Sequence, residues 1–295
     1  MTASPLLTAF LPIALGIIML GLGLSLTLAD FARVLKFPKP VLVGLACQVL
    51  LLPLLCFLIA KGFGLAPLLA VGLMLLAASP GGTSANLYSH LAHGDVALNI
   101  SLTAVNSVIA VLTMPLIVNL SLMHFMAADQ VLPLQFGKVV QVFAIVLGPV
   151  AIGMFLRSRF PAFAARMDKP VKIGSALFLL LVIVLAFVKD WQTVVDYAPQ
   201  VGMAALVFNL VSLGVGYYVP RLLKLPLRQA VAIGMEIGIH NGTLAIALAL
   251  SPMLLNNSTM AIPAAIYSLI MFFTAALFGW WVNRVHGREL AAEAP

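Results

Sequence analysis

Residues 69–92 read LAVGLMLLAASPGGTSANLYSHLA and residues 230–250 read AVAIGMEIGIHNGTLAIALAL. Each stretch is apolar at both ends and polar in the middle. Pro80, Gly81, Gly82, Thr83, Ser84 and Asn86 interrupt the first; Glu236, Gly238, His240, Asn241, Gly242 and Thr243 interrupt the second. Unwound backbone at membrane depth leaves amides and carbonyls unpaired, at a cost of several kcal/mol per group. Such interruptions persist where something polar compensates them. The two stretches therefore predict discontinuous transmembrane helices gathered around a binding site.

The rest of the chain supplies the membrane setting. Of its 295 residues, 63% are hydrophobic and 8% charged, which excludes a soluble domain of this size. A hydrocarbon layer about 30 Å thick takes roughly 20 helical residues to cross. Apolar runs then give nine spans, over 5–28, 41–60, 66–92, 96–121, 137–157, 173–189, 200–219, 229–250 and 262–283, forming one transmembrane domain over 1–295. The 16 basic residues divide 13 to 3 between alternate sides, which places the C-terminus in the cytoplasm and the N-terminus outside. The net charge of +7 is thus an orienting signal scattered through short loops, not a face for nucleic acid. No Lys or Arg precedes Arg33, so the first apolar run is expected to be a retained span. Trp280, Trp281, Tyr217 and Tyr218 fall at inner span ends and read as an aromatic belt facing membrane lipid. Cys47 and Cys56 are nine residues apart along one span, too far for a disulfide, and read as apolar filler.

The interrupted spans are the third and the eighth. An odd separation of five means that they cross the membrane in opposite directions, the arrangement of an inverted-topology repeat. Nine spans fit a 5 + 5 plan that lacks its first helix. Free carbonyls at the end of a first half-helix suit a hard cation. Free N–H groups and the positive dipole end of a second half-helix suit an anion. One pair of broken helices thereby accommodates both partners of a cation-coupled anion transporter.

Glu236 is the one acid well inside an apolar segment, and an intramembrane carboxylate marks an ion pathway. Asn99, Thr103 and Asn106 recur at i, i+4 and i+7 in the fourth span and share a face that would complete an oxygen cage with Asn86 and Glu236. Interhelical hydrogen bonding is the plainer role for that face. Gln48 is the amide of the second span that could reach the same region. His240 follows Glu236 by four residues, a spacing that on a continuous helix would let the imidazole bond the carboxylate. Asp95, just before the fourth span, reads as an N-cap, and the 13 methionines read as packing. No feature of the sequence sets an oligomeric state.

SPGGTSANLYSHLAHGDVALNISLTAVNS (79–107) together with EIGIHNGTLAIALA (236–249) resembles the bile acid:sodium symporter family. Its members carry a Pro-Gly-Gly-Thr-x-Ser-Asn segment and a Glu-x-Gly-x-Gln-Asn segment in two crossing broken helices. The resemblance covers nearly the whole chain and implies a bacterial nine-helix member in the cell inner membrane. It also implies a panel domain (about 5–28, 137–157 and 173–189) beside a core domain (about 41–60, 66–92, 96–121, 200–219, 229–250 and 262–283). One or two sodium ions are implied, the first at Asn86, Asn99, Thr103 and Glu236. The second would lie at Gln48, Glu236 and the backbone near Ile237 and Ile239. There His240 stands where the family has glutamine, and sodium prefers oxygen to a ring nitrogen. The implied substrate is an organic anion, from bile acids to small carboxylates such as pantoate or keto acids. Thr83, Ser84, Asn241, Gly242 and Thr243 at the half-helix N-termini favour it.

Other classes fit less well. A cation/proton exchanger would use Glu236 and His240 as its titrating pair. An intramembrane hydrolase would need a His-Glu-x-x-His motif, a Gly-x-Ser-x-Gly elbow or a second membrane acid, none of which is in the sequence, so no enzyme activity is expected. A sensor or scaffold that retains a transporter fold is distinguished by uptake into whole cells.

Overall fold

The computed structural model describes residues 16–17, 19–126, 136–189, 191–251 and 254–293. Residues 5–15 and 18 of the first expected span, and the acids Asp129 and Asp190, lie outside the described residues. The described chain is helical: α1 (16–17 and 19–25), α2 (Leu28–Ala32), α3 (Pro38–Ala46), α4 (Leu52–Gly62), α5 (Pro67–Ala78), α6 (Ser84–Leu91) and α7 (Val96–Phe125) come first. They are followed by α8 (Phe136–Arg159), α9 (Pro161–Lys189), α10 (Trp191–Leu222), α11 (Leu227–Gly238), α12 (Gly242–Leu250) and α13 (Ile262–Ala292).

Four stretches are long and apolar enough to cross a bilayer, Pro38–Gly62, Val96–Phe125, Ala198–Leu222 and Thr259–Leu290, and they make this a multi-pass membrane protein. The third and eighth expected spans each divide into two pieces. At 1.5 Å per residue the 12 residues of α5 reach only about 18 Å, and α6 adds 8 residues, so neither piece crosses alone. The same holds for α11, with 12 residues, and α12, with 9.

Local chemistry sets these boundaries. Pro67 sits in the first turn of α5, where a missing N–H costs nothing. Pro80 pushes the residue before it out of helical geometry, and Ser79 is extended at φ −71°, ψ 148°. α11 starts after Pro226 and ends at Gly238, where Ile239 leaves the helix at φ −108°, ψ 89°. The first turn of α11 has no cap from its own chain neighbour. The Glu293 carboxylate supplies one, accepting the Leu227 and Arg228 amides at 2.9 and 3.0 Å. α7 begins as its sequence predicts, with Asp95 accepting the Leu98 amide at 3.0 Å.

Between α3 and α4 the helix widens into a π-turn over Cys47–Leu51. Pro53 accounts for it, because its ring excludes the carbonyl four residues back and removes one helical donor. Gln48 lies within that turn. α9 begins at Pro161, well before the apolar run at 173, because the polar turn carrying Arg166 and Lys169 continues the helix. Tyr217 and Trp281, read from sequence as lipid-facing, pack edge to face at 5.4 Å, whereas Tyr218 and Trp280 are exposed. Cys47 and Cys56 are free and buried.

The core collects around α5 and α11, which are buried on all sides and pack against α7, α10 and one another's neighbours. α11 touches α6, α7, α10 and α13, so the helix carrying Glu236 is held from several directions. Close approach is built in at Gly72, where an added Cβ would stand 2.3 Å from the Met260 carbonyl oxygen. Backbone cannot yield as a side chain does, so Gly72→Ala is expected to cost about 1–3 kcal/mol. Gly62→Ala, which meets nothing within 4 Å, is the control. Thermal unfolding of the two variants side by side checks this; equal melting temperatures would refute it.

Candidate functional site

The two breaks meet. The Gly82 amide donates to the Ile239 carbonyl at 2.7 Å, and the Asn241 amide donates to the Pro80 carbonyl at 2.8 Å. These reciprocal bonds flank an antiparallel bridge between Gly81 and His240. Each interruption thus satisfies part of the other's backbone, lowering the cost of unwinding that both would otherwise carry. Gly81 makes the approach possible: a Cβ there would lie 2.1 Å from Glu236 Oε1.

Glu236 is 1% exposed, on the last turn and a half of α11. One carboxylate oxygen accepts the Thr103 hydroxyl at 2.6 Å; the Gly81 amide also faces the carboxylate, and Oε1 is buried without a well-formed hydrogen bond. Thr103 also reaches the Asn99 carbonyl at 3.1 Å, and Asn99 Nδ2 donates to the Ala232 carbonyl, one turn before Glu236, at 2.8 Å. Asn99 and Thr103 are therefore brought together with Glu236, as the i, i+4 spacing on α7 requires. Asn99 Oδ1 has no donor, and neither has Asn86 Oδ1 on α6, which packs between α7 and α11. Asn106 is buried on α7 with its Nδ2 unpartnered. A buried acceptor left without a donor costs about 1–3 kcal/mol. The orphaned atoms contributed by Asn86, Asn99 and Glu236 are all oxygens, so what suits them is positive.

A second group forms on the other side of the crossing. Gln48 Nε2 donates to the Ser79 carbonyl at 2.8 Å, and His240 Nδ1 lies 3.4 Å from that carbonyl and 3.5 Å from Gln48 Nε2. The imidazole stacks on Phe208 at 5.5 Å and meets Tyr267 edge to face at 5.4 Å. Gln48 Oε1 and His240 Nε2 are buried without partners. α11 ends at Gly238, so the four-residue spacing no longer sets His240 over Glu236; each hydrogen-bonds different groups. The Ile239 carbonyl, considered for a cation, accepts the Gly82 amide and keeps a second lone pair.

The two half-helix N-termini differ. At α12, Asn241 Oδ1 accepts the Leu244 amide at 3.0 Å and the Gly242 amide bonds the His240 carbonyl, so two of its donors are used. Gly242 is pressed against α13, where a Cβ would stand 1.9 Å from Ser268 Oγ. Thr243 is half-buried beside it. At α6 the Thr83 side chain makes no capping bond, the Ala85 amide bonds the Gly82 carbonyl at 2.9 Å, and Thr83 and Ser84 are half-buried.

Three buried residues beside the site were not singled out from sequence. Asn209 on α10 donates to the Gly238 carbonyl at 2.9 Å, Tyr267 on α13 donates to the same oxygen at 2.8 Å, and the Thr274 hydroxyl bonds Asn209 Oδ1. The available signal was an amide within the apolar run LVFNLVSLG (206–214).

Among the described residues no three His, Cys, Asp or Glu side chains gather as metal ligands. The donor set at Glu236 is one carboxylate with amide and hydroxyl oxygens, the chemistry of a hard cation. Residues 12–197 match the Sodium Bile acid symporter family. A probable chloroplastic sodium/metabolite cotransporter of Arabidopsis thaliana is 29% identical over 273 residues, covering 91% of this chain and 66% of that protein. The ileal sodium/bile acid cotransporter of Homo sapiens is 27% identical over 98% of this chain and 83% of its own length. An uncharacterised sodium-dependent transporter of Bacillus subtilis is 25% identical, over 98% and 88% respectively. These three relatives bear the names of transporters, not enzymes. With the family match running through more than half of its length, this chain belongs to the Sodium Bile acid symporter family.

Proposed function

We propose that this protein is a sodium-coupled symporter that imports an organic anion, a bile acid or a small carboxylate such as pantoate or a keto acid, across the cell inner membrane. The observation that carries the reading is the set of unpartnered buried oxygens at Asn86, Asn99 and Glu236. One carboxylate among neutral oxygens balances one monovalent cation, and acceptors without donors exclude an anion from that place. Sodium is held there by Asn86, Asn99, Thr103 and Glu236. Gln48 and His240, whose Oε1 and Nε2 have no partner among the described residues, line the place of a second ion.

The anion occupies the neighbouring half-helix N-termini, at Thr83 and Ser84 and at Asn241, Gly242 and Thr243. Sodium fixes the breaks and thereby shapes this anion site. The core then rocks against the panel to release both inward. The reciprocal bonds between the breaks support an inverted repeat, and the 13-to-3 division of basic residues supports a nine-span plan with the N-terminus outside and the C-terminus cytoplasmic.

A thermal-shift screen of purified protein against organic anions, each in sodium and in choline, tests this function. The expected result is stabilisation by at least one carboxylate in sodium and none by the same compound in choline. Equal stabilisation in the two salts would sink coupling.

A further inference from the structure

The two breaks are capped by matching side chains. Gln48 donates to the carbonyl of Ser79, the residue before Pro80, whose own carbonyl takes the Asn241 amide. Asn209 donates to the carbonyl of Gly238, the residue before Ile239, whose own carbonyl takes the Gly82 amide. Asn209 thus stands to the second break as Gln48 stands to the first. The two carboxamides differ at their oxygens. Gln48 Oε1 has no donor among the described residues, whereas Asn209 Oδ1 is held by the Thr274 hydroxyl.

The difference has a mechanical meaning. A helix end leaves carbonyls without intrahelical partners, and those peptide units swing unless something bonds them. The Gly238 carbonyl accepts both Asn209 Nδ2 and the Tyr267 hydroxyl, which fill its two lone pairs. It is consumed as a ligand and fixed in place. Asn209 and Tyr267 are fully buried, so the clamp is dry, and Gly238 lies two residues beyond Glu236.

We propose that Asn209, locked by Thr274, is a positioning residue: it pins the end of α11 and thereby holds the Glu236 carboxylate in register with Asn99 and Thr103. It touches neither sodium nor substrate. The inference rests on the reading above that Glu236 holds the sodium ion.

The test uses sodium alone as probe, titrated against choline at constant ionic strength, with the thermal midpoint of the full chain in lipid nanodiscs as readout. Thr274→Val keeps the shape of the side chain and removes the hydroxyl. It is expected to raise the sodium concentration for half-maximal stabilisation about tenfold, the ratio carried by one buried hydrogen bond. Thr274→Ser restores the hydroxyl and is expected to stay within about twofold of wild type. Tyr267→Phe, which removes only the second donor to Gly238, is expected to shift the sodium midpoint in the same direction and serves where Thr274→Val does not fold.

A merely structural role lowers the midpoint in choline and leaves the sodium requirement unchanged; that result, or a Thr274→Ser shift equal to that of valine, overturns the proposal. If wild type shows no saturable sodium response, the sodium site itself falls and the clamp with it. If Glu236→Gln abolishes the response while Thr274→Val and Tyr267→Phe keep the wild-type requirement, only the clamp falls.

Discussion

Glu236→Gln is expected to remove the sodium response of this protein and, in the same preparation, to raise its melting temperature in choline. The two signs come from one cause. Without a cation the carboxylate is buried at 1% exposure, with the Thr103 hydroxyl and the Gly81 amide facing it and Oε1 left without a well-formed hydrogen bond. Glutamine keeps the shape and still accepts from Thr103, but it carries no charge into the membrane interior, so the sodium-free state is relieved. With sodium present the loss is large. Removing one partner of a buried charge pair costs about 3–5 kcal/mol, roughly 10²–10⁴-fold in affinity. Thermal midpoints of wild type and variant across a sodium titration check both halves. A variant that keeps its sodium requirement and its accumulation of solute would show that the carboxylate serves only packing.

Gly81→Ala is expected to mimic that loss without touching the carboxylate chemically. The added Cβ would stand 2.1 Å from Oε1, 2.3 Å from Cδ and 2.6 Å from Oε2 of Glu236. What it meets is the end of a side chain, so the chain still folds, and the carboxylate is driven off Thr103 and out of register with Asn99. Sodium affinity is expected to fall by about two orders of magnitude, comparable to the loss of a buried charge partner. Gly82→Ala is the graded comparison: there the Cβ meets the His240 carbonyl oxygen at 3.0 Å, and a smaller effect is expected. The sodium midpoint of Gly81→Ala decides the matter; a value equal to that of wild type would mean that the carboxylate has room to move and does not need its present place.

Much of this site was legible before any coordinates, because its signals are local. Pro80 ends α5 by steric exclusion at the residue before it, and Gly238 with Ile239 ends α11, so both interruptions could be placed within a few residues. Glu236 stood out as the acid within a span, and Asn99 with Thr103 followed from helical periodicity. His240 shows where such reasoning ends. Counting four residues from Glu236 assumes a continuous helix, and the helix stops between them, so the imidazole turns its Nδ1 toward Gln48 and the Ser79 carbonyl instead. The dipole argument for Asn241 and Gly242 is local too, but it does not show that the Asn241 side chain and the His240 carbonyl take the Leu244 and Gly242 amides.

The sequence by itself determined the membrane setting, the two interruptions, the buried acid and the α7 face that meets it. Each follows from composition or from geometry within a few residues of chain. The tertiary structure alone decided how the interruptions bond each other, which side-chain oxygens are left without a donor, and that Asn209, Tyr267 and Thr274 hydrogen-bond in a chain to the end of α11. Those contacts join groups 29 or more residues apart in the chain, and their energy comes from shared burial, which no local pattern records.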